Sequence, residues 1–547
     1  MVKSNSFCLV PFQANKLTNL FLFVTKIVPF GSSYILYILL FSFVVLLIYR
    51  ENPPSFGKND PKGTGCNDIP AGHRCHVCCC WQESGCIGTG IQILMWPIMF
   101  LIFLPVLTLS NLVIWMFVYG CRGGAIGVAK SGTQPYCTIM RLMFSEVSVQ
   151  NCIEIQQKLD GDKAKKCFSK YAQRNHYIEG KHVILEVFDI DDTVTKAQIY
   201  RKWKHGMRRP ASHHHTWLLI SPSRTFICGC TDFGIYDGTS SFNWLKGFVQ
   251  TYYDGEDKAP LVRPKKGNKE LDLKLDASTV LPDGTTMGAR LGCCTGLKVV
   301  FKTSFRSAIL MGRNILSREI LDFFLQSPKA YSAIATIAPE LNTKMTNKIQ
   351  TDGNKMFAHF LQAGGRACNE LATTNKVLNP LLATQVSTQT RYYKPLIKER
   401  NVVGNWLIPL GGQYNLKQLG NRAWCETYYK DLIKDIKNFD NKVAEAFINQ
   451  TVFGFFGAGA WTNPRKIFWY NNYGLRSMHP DAGDLTYHWG PNYTASCYCF
   501  VNIVTVNGST CITISSAKMN QHEVNQIAQN VRTILLEGIT DDTEQKV

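Results

Sequence analysis

The sequence predicts a mixed α/β protein, an α+β arrangement of two subdomains, preceded by membrane-anchored helices. Three observations predict it. From about Met140 onward, short β-branched and aromatic runs alternate with stretches of helical period. Two long uncharged apolar blocks lie ahead of that alternation. A single segment, Cys230-Thr231-Asp232-Phe233-Gly234-Ile235-Tyr236-Asp237-Gly238, joins a β-type run (Thr225–Cys228) to a helix pattern through a loop ending in Asp-Gly. That helix pattern places Phe242, Leu245, Val249 and Tyr252 on one face.

Composition bounds the reading. A chain of 547 residues is long enough for two or more cores, and 12% aromatic with 45% apolar residues excludes a disordered or low-complexity protein. The net charge of +19 favours anionic partners: phospholipid headgroups, the phosphates of CoA, or nucleic acid. Most of the excess follows Cys121, because the chain through that residue carries 7 Lys/Arg against 4 Asp/Glu. No recognition-helix, RNP or Cys/His finger pattern is present, so nucleic acid is not expected as a partner.

Residues 1–121 form the membrane module. Tyr34–Tyr49 is uncharged and, with Ile27–Ser33, approaches the twenty apolar residues that cross a hydrocarbon core of about 30 Å. Ile91–Tyr119 is longer and also uncharged. Spans are expected at about 28–49 and 92–119. The second contains Pro97 and Pro105 and reads as one kinked span or a re-entrant hairpin. The first starts too late for a cleaved leader, so it reads as an anchor. The loop between them, residues 50–90, holds six of the 20 cysteines (Cys66, Cys75, Cys78, Cys79, Cys80, Cys86). Disulfides in a lumenal or extracellular space, a zinc site with His73 and His76, or palmitoylation each fit that cluster. Lysine and arginine counts scarcely distinguish the orientations. The disulfide reading leaves the termini and the large domain in the cytosol. The expected location is a multi-pass membrane protein of the endoplasmic reticulum or plasma membrane.

The remainder divides into residues 140–259, a Lys/Asp/Pro/Gly-rich linker at 260–283 suited to a crossover, and residues 284–547. Expected strands include Val183–Phe188, Trp217–Ile220, Phe226–Cys230, Val299–Phe301 and Cys499–Val506. The last should form a hairpin with Thr510–Ser515 across Asn507-Gly508, a strong two-residue turn signal. A helix over Glu523–Leu536 closes the pattern.

Several motifs in this order resemble the wax ester synthase/diacylglycerol acyltransferase family, a membrane-associated branch of the CoA-dependent acyltransferases. They are Phe188-Asp189-Ile190 with Val194, Arg209-Pro210 with Trp217, and the strand–loop–helix ending in Asp237-Gly238. Gly404-Asn405 with Pro409-Leu410, Asn471 with Gly474, and the C-terminal hairpin follow. The resemblance covers roughly residues 180–540. It implies two α/β subdomains with a channel between them, acyl-CoA as substrate rather than as a bound cofactor, and a long-chain alcohol or diacylglycerol as acceptor. Phe233, Asn405 and Asn471 are then expected at the channel, Asp237 holds the loop, and Gly238 permits the turn.

The family reads His-His-x-x-x-Asp-Gly, whereas this chain has Asp232-Phe233. Phenylalanine has no lone pair with which to accept the acceptor's proton, and a general base supplies roughly 10²–10⁴-fold in rate. Two substitutes are available. A hairpin turning at Ser221–Arg224 pairs His214 with Thr231, on the Phe233 side of the strand, and leaves His213 and His215 on the other. His214 is thus a candidate displaced base, and Asp232, opposite His213, is a second. Against this stands the plain reading of 213–215 as a partly solvated edge strand; a metal site lacks a third ligand. Two functions are therefore expected: neutral-lipid O-acyl transfer at a membrane, or a catalytically impaired relative that binds acyl lipid or protein. An unrelated membrane receptor or scaffold is the third class. Asn449, Asn492 and Asn507 begin glycosylation sequons, taken here as chance matches; Cys228, Cys230 and the pair Cys293-Cys294 read as buried free thiols, and Cys425 has no triad pattern around it.

Overall fold

The structure is a computed structural model that describes residues 86–121, 148–194, 213–232, 236–255, 278–314, 331–351, 356–374, 381–389, 407–452, 467–479, 482–489, 499–516 and 519–539, with Ile199, Lys258 and Ala259. The expected span at 28–49, most of the Cys-rich loop and the linker at 260–277 lie outside these residues. So do Arg209-Pro210, Gly404-Asn405 and Asn492.

In chain order the elements are α1 (Cys86–Cys121), β1 (Ser148–Ile155), α2 (Gly161–Arg174), β2 (Val183–Asp189), β3 (His214–Ile220), β4 (Thr225–Asp232), α3 (Gly238–Asp254) and α4 (Cys293–Asn314). Then come β5 (Tyr331–Ile337), α5 (Pro339–Thr351), α6 (Met356–Thr374), β6 (Leu381–Gln389), β7 (Leu407–Asn415), α7 (Arg422–Asn438) and α8 (Asn441–Val452). The chain closes with β8 (Ile467–Arg476), β9 (Ala482–Trp489), β10 (Cys499–Val506), β11 (Ser509–Ser516) and α9 (Gln521–Leu535). One sheet has the order β2-β3-β4-β1-β9, the other β5-β11-β10-β8-β6-β7.

The first sheet is covered on both faces because β4 alternates two apolar sets. Ile227 faces a core built on Phe168, Leu245 and Phe248 from α2 and α3. Phe226, Cys228 and Cys230 face Cys152, Leu219 and the segment bearing Ile190, Val194 and Ile199. The second sheet does the same through β10. Val501 and Ile503 meet the helical side with Phe360, Val524 and Ile527, while Phe500, Val504 and Val506 join the first subdomain's core. The two halves therefore meet across one face of the second sheet, and β9 carries the chain from the C-terminal half into the first sheet beside β1.

Three expectations change. Val299–Phe301 is helical, inside α4; the β-branched pair Val299 and Val300 is buried there, where packing overrides its local preference. β3 is an interior strand between β2 and β4, not an edge. Cys293 and Cys294 are exposed, while Cys228, Cys230 and Cys425 are buried free thiols. The C-terminal hairpin has its expected form. Asn507 (φ 48°) and Gly508 (φ 88°) both adopt positive φ, as a type I′ turn requires. Asn507 Oδ1 accepts from Met478 N and its Nδ2 donates to His479 O, so this sequon's side chain is spent inside the fold.

Among the described residues, no helix is long and apolar enough to cross a membrane. In α1 the unbroken stretch of described side chains runs only from Phe100 to Val113. Despite Pro97 and Pro105, α1 is one continuous helix rather than a hairpin. It packs lengthwise against α4: Asn111 Nδ2 donates to Ser304 Oγ at 2.9 Å, and Trp115 is 1% exposed. A span over 92–119 is therefore not seen.

Candidate functional site

The site forms where β4 runs into α3. A β-type run ends at Asp232, the loop 233–235 follows (outside the described residues, with Phe233), and α3 starts at Gly238. Asp237 is the N-cap of α3 with extended backbone, and its Oδ1 accepts from Ser240 N at 2.8 Å. A carboxylate at that position satisfies an otherwise orphan amide and opposes the partial positive charge of the helix start. Gly238 follows as the first helical residue and is buried.

The β3–β4 register pairs His214 with Thr231, as the hairpin argument requires. His214 does not line an open surface, however. It is 2% exposed, its ring lies 5.5 Å from that of Trp244, and its Nδ1 sits 3.2 Å from Thr216 Oγ1. Burial, and secondarily His215 nearby, pushes its pKa down to about 3, so it is neutral across the physiological range. His215 does occupy the other face, whereas His213 turns toward Tyr236, 6.5 Å away between rings, in the core that also holds Trp244. His215 Nε2 lies 2.7 Å from Glu186 Oε2, which also accepts from Trp217 Nε1, and His213 stacks on His182 at 5.0 Å. Asp232 is 1% exposed, and its N–H donates to His213 O.

A polar network with little signal in the sequence joins β1, β4 and α3 at this junction. Asn151 Nδ2 on β1 donates to Ser241 Oγ at 2.6 Å, and Ser241 Oγ lies 2.6 Å from Thr231 Oγ1. This chain ties β1, β4 and the first turn of α3 together. Gly229 makes room for it: a Cβ there would stand 2.4 Å from Asn151 Oδ1 and 3.3 Å from His214 Cε1. Polar Asn151 within the fully buried strand β1 was the only available hint, and period-two apolar patterning passes over it.

The second half of the protein reaches this site through the end of β8. Arg476 Nη2 donates to Thr239 Oγ1 at 3.2 Å, and its guanidinium lies over the Phe242 ring. Lys246 Nζ donates to Ser477 Oγ, and partial burial followed by Arg476 lowers its pKa. His479 stacks on Tyr253 at 3.7 Å. Asn471 and Gly474 are not a turn. Both lie within β8, with Asn471 opposite Asn502 and Gly474 at a register shift against β10. Asn405 lies outside the described residues. Among the described residues no group of three or more His, Cys, Asp or Glu side chains could hold a metal ion.

No protein-family model and no curated protein matches the sequence. Solved structures do. The TRI3 trichothecene 15-O-acetyltransferase of Fusarium sporotrichioides matches with a TM-score of 0.52 at 9% identity, over 74% of this chain and 94% of that one. The first condensation domain of the calcium-dependent antibiotic synthetase matches at 0.46 and 13%, over 74% and 94%. A starter condensation domain variant of rhizomide synthetase RzmA in complex with C8-CoA matches at 0.43 and 9%, over 75% and 96%. At such identities the likeness is one of fold. The chain shares its fold, two sheets with their helices, with that acetyltransferase.

Proposed function

We propose that the protein transfers an acyl group from acyl-CoA to a hydroxyl acceptor, a long-chain alcohol or diacylglycerol, to make neutral lipid at the endoplasmic reticulum or plasma membrane. The observation that carries this reading is the junction of β4 with α3. Asp237 caps the start of α3, Asn151, Ser241 and Thr231 tie β1, β4 and α3 together, and the surrounding fold is shared with an O-acetyltransferase. In the reaction the acceptor oxygen bonds to the thioester carbonyl carbon as its proton leaves. The C–S bond then breaks, and the CoA sulfur takes a proton.

The proton acceptor in this reading is His214, neutral as a base must be but enclosed, with Asp232 as the second candidate. Turnover is accordingly slow. The test is CoA thiol release from acyl-CoA with a long-chain alcohol, alongside labelled fatty acid in cells lacking neutral-lipid synthases. Wild type should give measurable ester, and Phe233→His should raise the rate by roughly 10²–10⁴-fold. No ester from either protein overturns the reading.

The burial of both flanking ionisable side chains, His214 at 2% and Asp232 at 1%, favours one alternative. In it, Phe233 closes the channel and the protein binds acyl-CoA or another acyl lipid without turnover. Saturable binding with no ester in the same assay supports that alternative.

A further inference from the structure

We infer that α1 and α4 form a plate that lies in the plane of a lipid bilayer, inserting one apolar face and not crossing it. This goes beyond acyl transfer and does not depend on it.

The two helices run antiparallel. The α1 side chains that turn inward recur every four residues: Phe103, Leu107, Asn111 and Trp115, exposed by 7, 1, 0 and 1%. They meet α4 at Ser304 and Ala308, and at Gly296, where a Cβ would collide with the Trp115 indole. The opposite face of α1 carries Ile98, Leu101, Leu109 and Met116, exposed by 51, 69, 57 and 57%. α4 also exposes Phe301 and Phe305, by 58 and 50%, where Phe305 meets the inward-turned Phe100 edge-on at 5.5 Å. Exposed large apolar side chains in this number mark a contact surface.

Two features identify a bilayer as the occupant. The outer face of α1 belongs to a stretch, Ile91–Tyr119, without one charged residue, and a protein-facing rim would normally be polar. The exposed lysines Lys298 and Lys302 stand on α4 beside Phe301, in a chain of net charge +19, which suits anionic headgroups. The docking then fixes the orientation. A helix that crossed the bilayer while held along α4 would carry Lys298 and Lys302 with it, together with Glu445 of α8, which accepts from Lys302 Nζ. Charged groups at the bilayer centre are costly. Lying flat, the pair buries its apolar face to a depth of roughly 5–10 Å and leaves the lysines at the headgroups.

The test places a genetically encoded fluorescent amino acid at Leu101, Leu109, Met116 or Phe301 of the full chain. The protein is reconstituted in phosphatidylcholine–phosphatidylserine vesicles brominated either near the glycerol or near the chain end. Each position should lose fluorescence mainly with the shallow bromines and to a similar depth. A gradient along α1, deepest at Leu109 and quenched there by chain-end bromines, overturns the inference in favour of a span. Absence of quenching at all four positions, with a dimer or larger species in detergent, overturns it in favour of a second copy of the chain. Neither result bears on CoA release, so failure here leaves the acyl-transfer reading standing.

Discussion

Replacing Gly229 with alanine tests how tightly the polar network joining β1, β4 and α3 is fitted. Gly229 faces Asn151 across the β1–β4 pair. The added methyl would lie 2.4 Å from Asn151 Oδ1 and 3.3 Å from His214 Cε1. Neither neighbour has free space: Asn151 is 0% and His214 2% exposed. Overpacking of this kind costs about 1–3 kcal/mol. Turning Asn151 away would break its bond to Ser241, adding about 1 kcal/mol or more. A loss of roughly 2–4 kcal/mol is expected, read as a lower urea midpoint at unchanged slope. Asn151→Ala removes the obstructing atom, so the double variant Gly229→Ala/Asn151→Ala should be less destabilised than the two single losses added together. A Gly229→Ala loss below about 0.5 kcal/mol, or strict additivity, would refute the reasoning.

The other predictions concern titration, capping and docking. His214 is charged near pH 6.5 when unfolded but only near pH 3 when folded, so the unfolded state binds the extra proton between those values. Stability is full above pH 6.5 and falls as pH drops, by about 2 kcal/mol between pH 7 and pH 5 from this group. His214→Gln should flatten that slope in denaturant titrations; an unchanged slope would remove His214 from the account. Asp237→Ala should cost about 0.5–2 kcal/mol through the lost cap, whereas Asp237→Asn should retain most of it. Equal losses in the two would contradict a capping role. Gly296→Ala pushes against the buried Trp115 indole and should free α1 from α4, seen as faster proteolysis within 86–121 at a similar melting temperature; unchanged proteolysis counts against the docking.

Legibility followed the range of the interactions. The β10–β11 hairpin was readable because Asn507-Gly508 sits between two alternating apolar runs and its turn chemistry is local. The β3–β4 register was readable for the same reason, with Ser221 and Arg224 closing the turn through Ser221 N–H to Arg224 O. The helix after Asp237-Gly238 buries Phe242, Leu245, Val249 and Tyr252, the face its period marked. What failed was set by distant partners. The position of β3 inside the sheet depends on its parallel pairing with β2, across 31 residues at Val183↔His214. The move of β9 into the first sheet joins Ile153 to Leu485, a contact no local pattern announces. Val299–Phe301 looks like a strand core in isolation and becomes helix because α1 and the second subdomain's core offer α4 two surfaces to cover.

The division between scaffold and chemistry at the candidate site follows from where its supports lie. Asp237 holds Ser240 N, Ser241 joins Asn151 to Thr231, and Arg476 reaches Thr239 from the other half of the protein. None of these bonds involves residue 233. The residues on either side of the segment 233–235 are thus held by bonds made outside it. Phe233→His should change the rate of ester formation by far more than it changes the urea midpoint; comparable changes in both would count against a role in proton transfer.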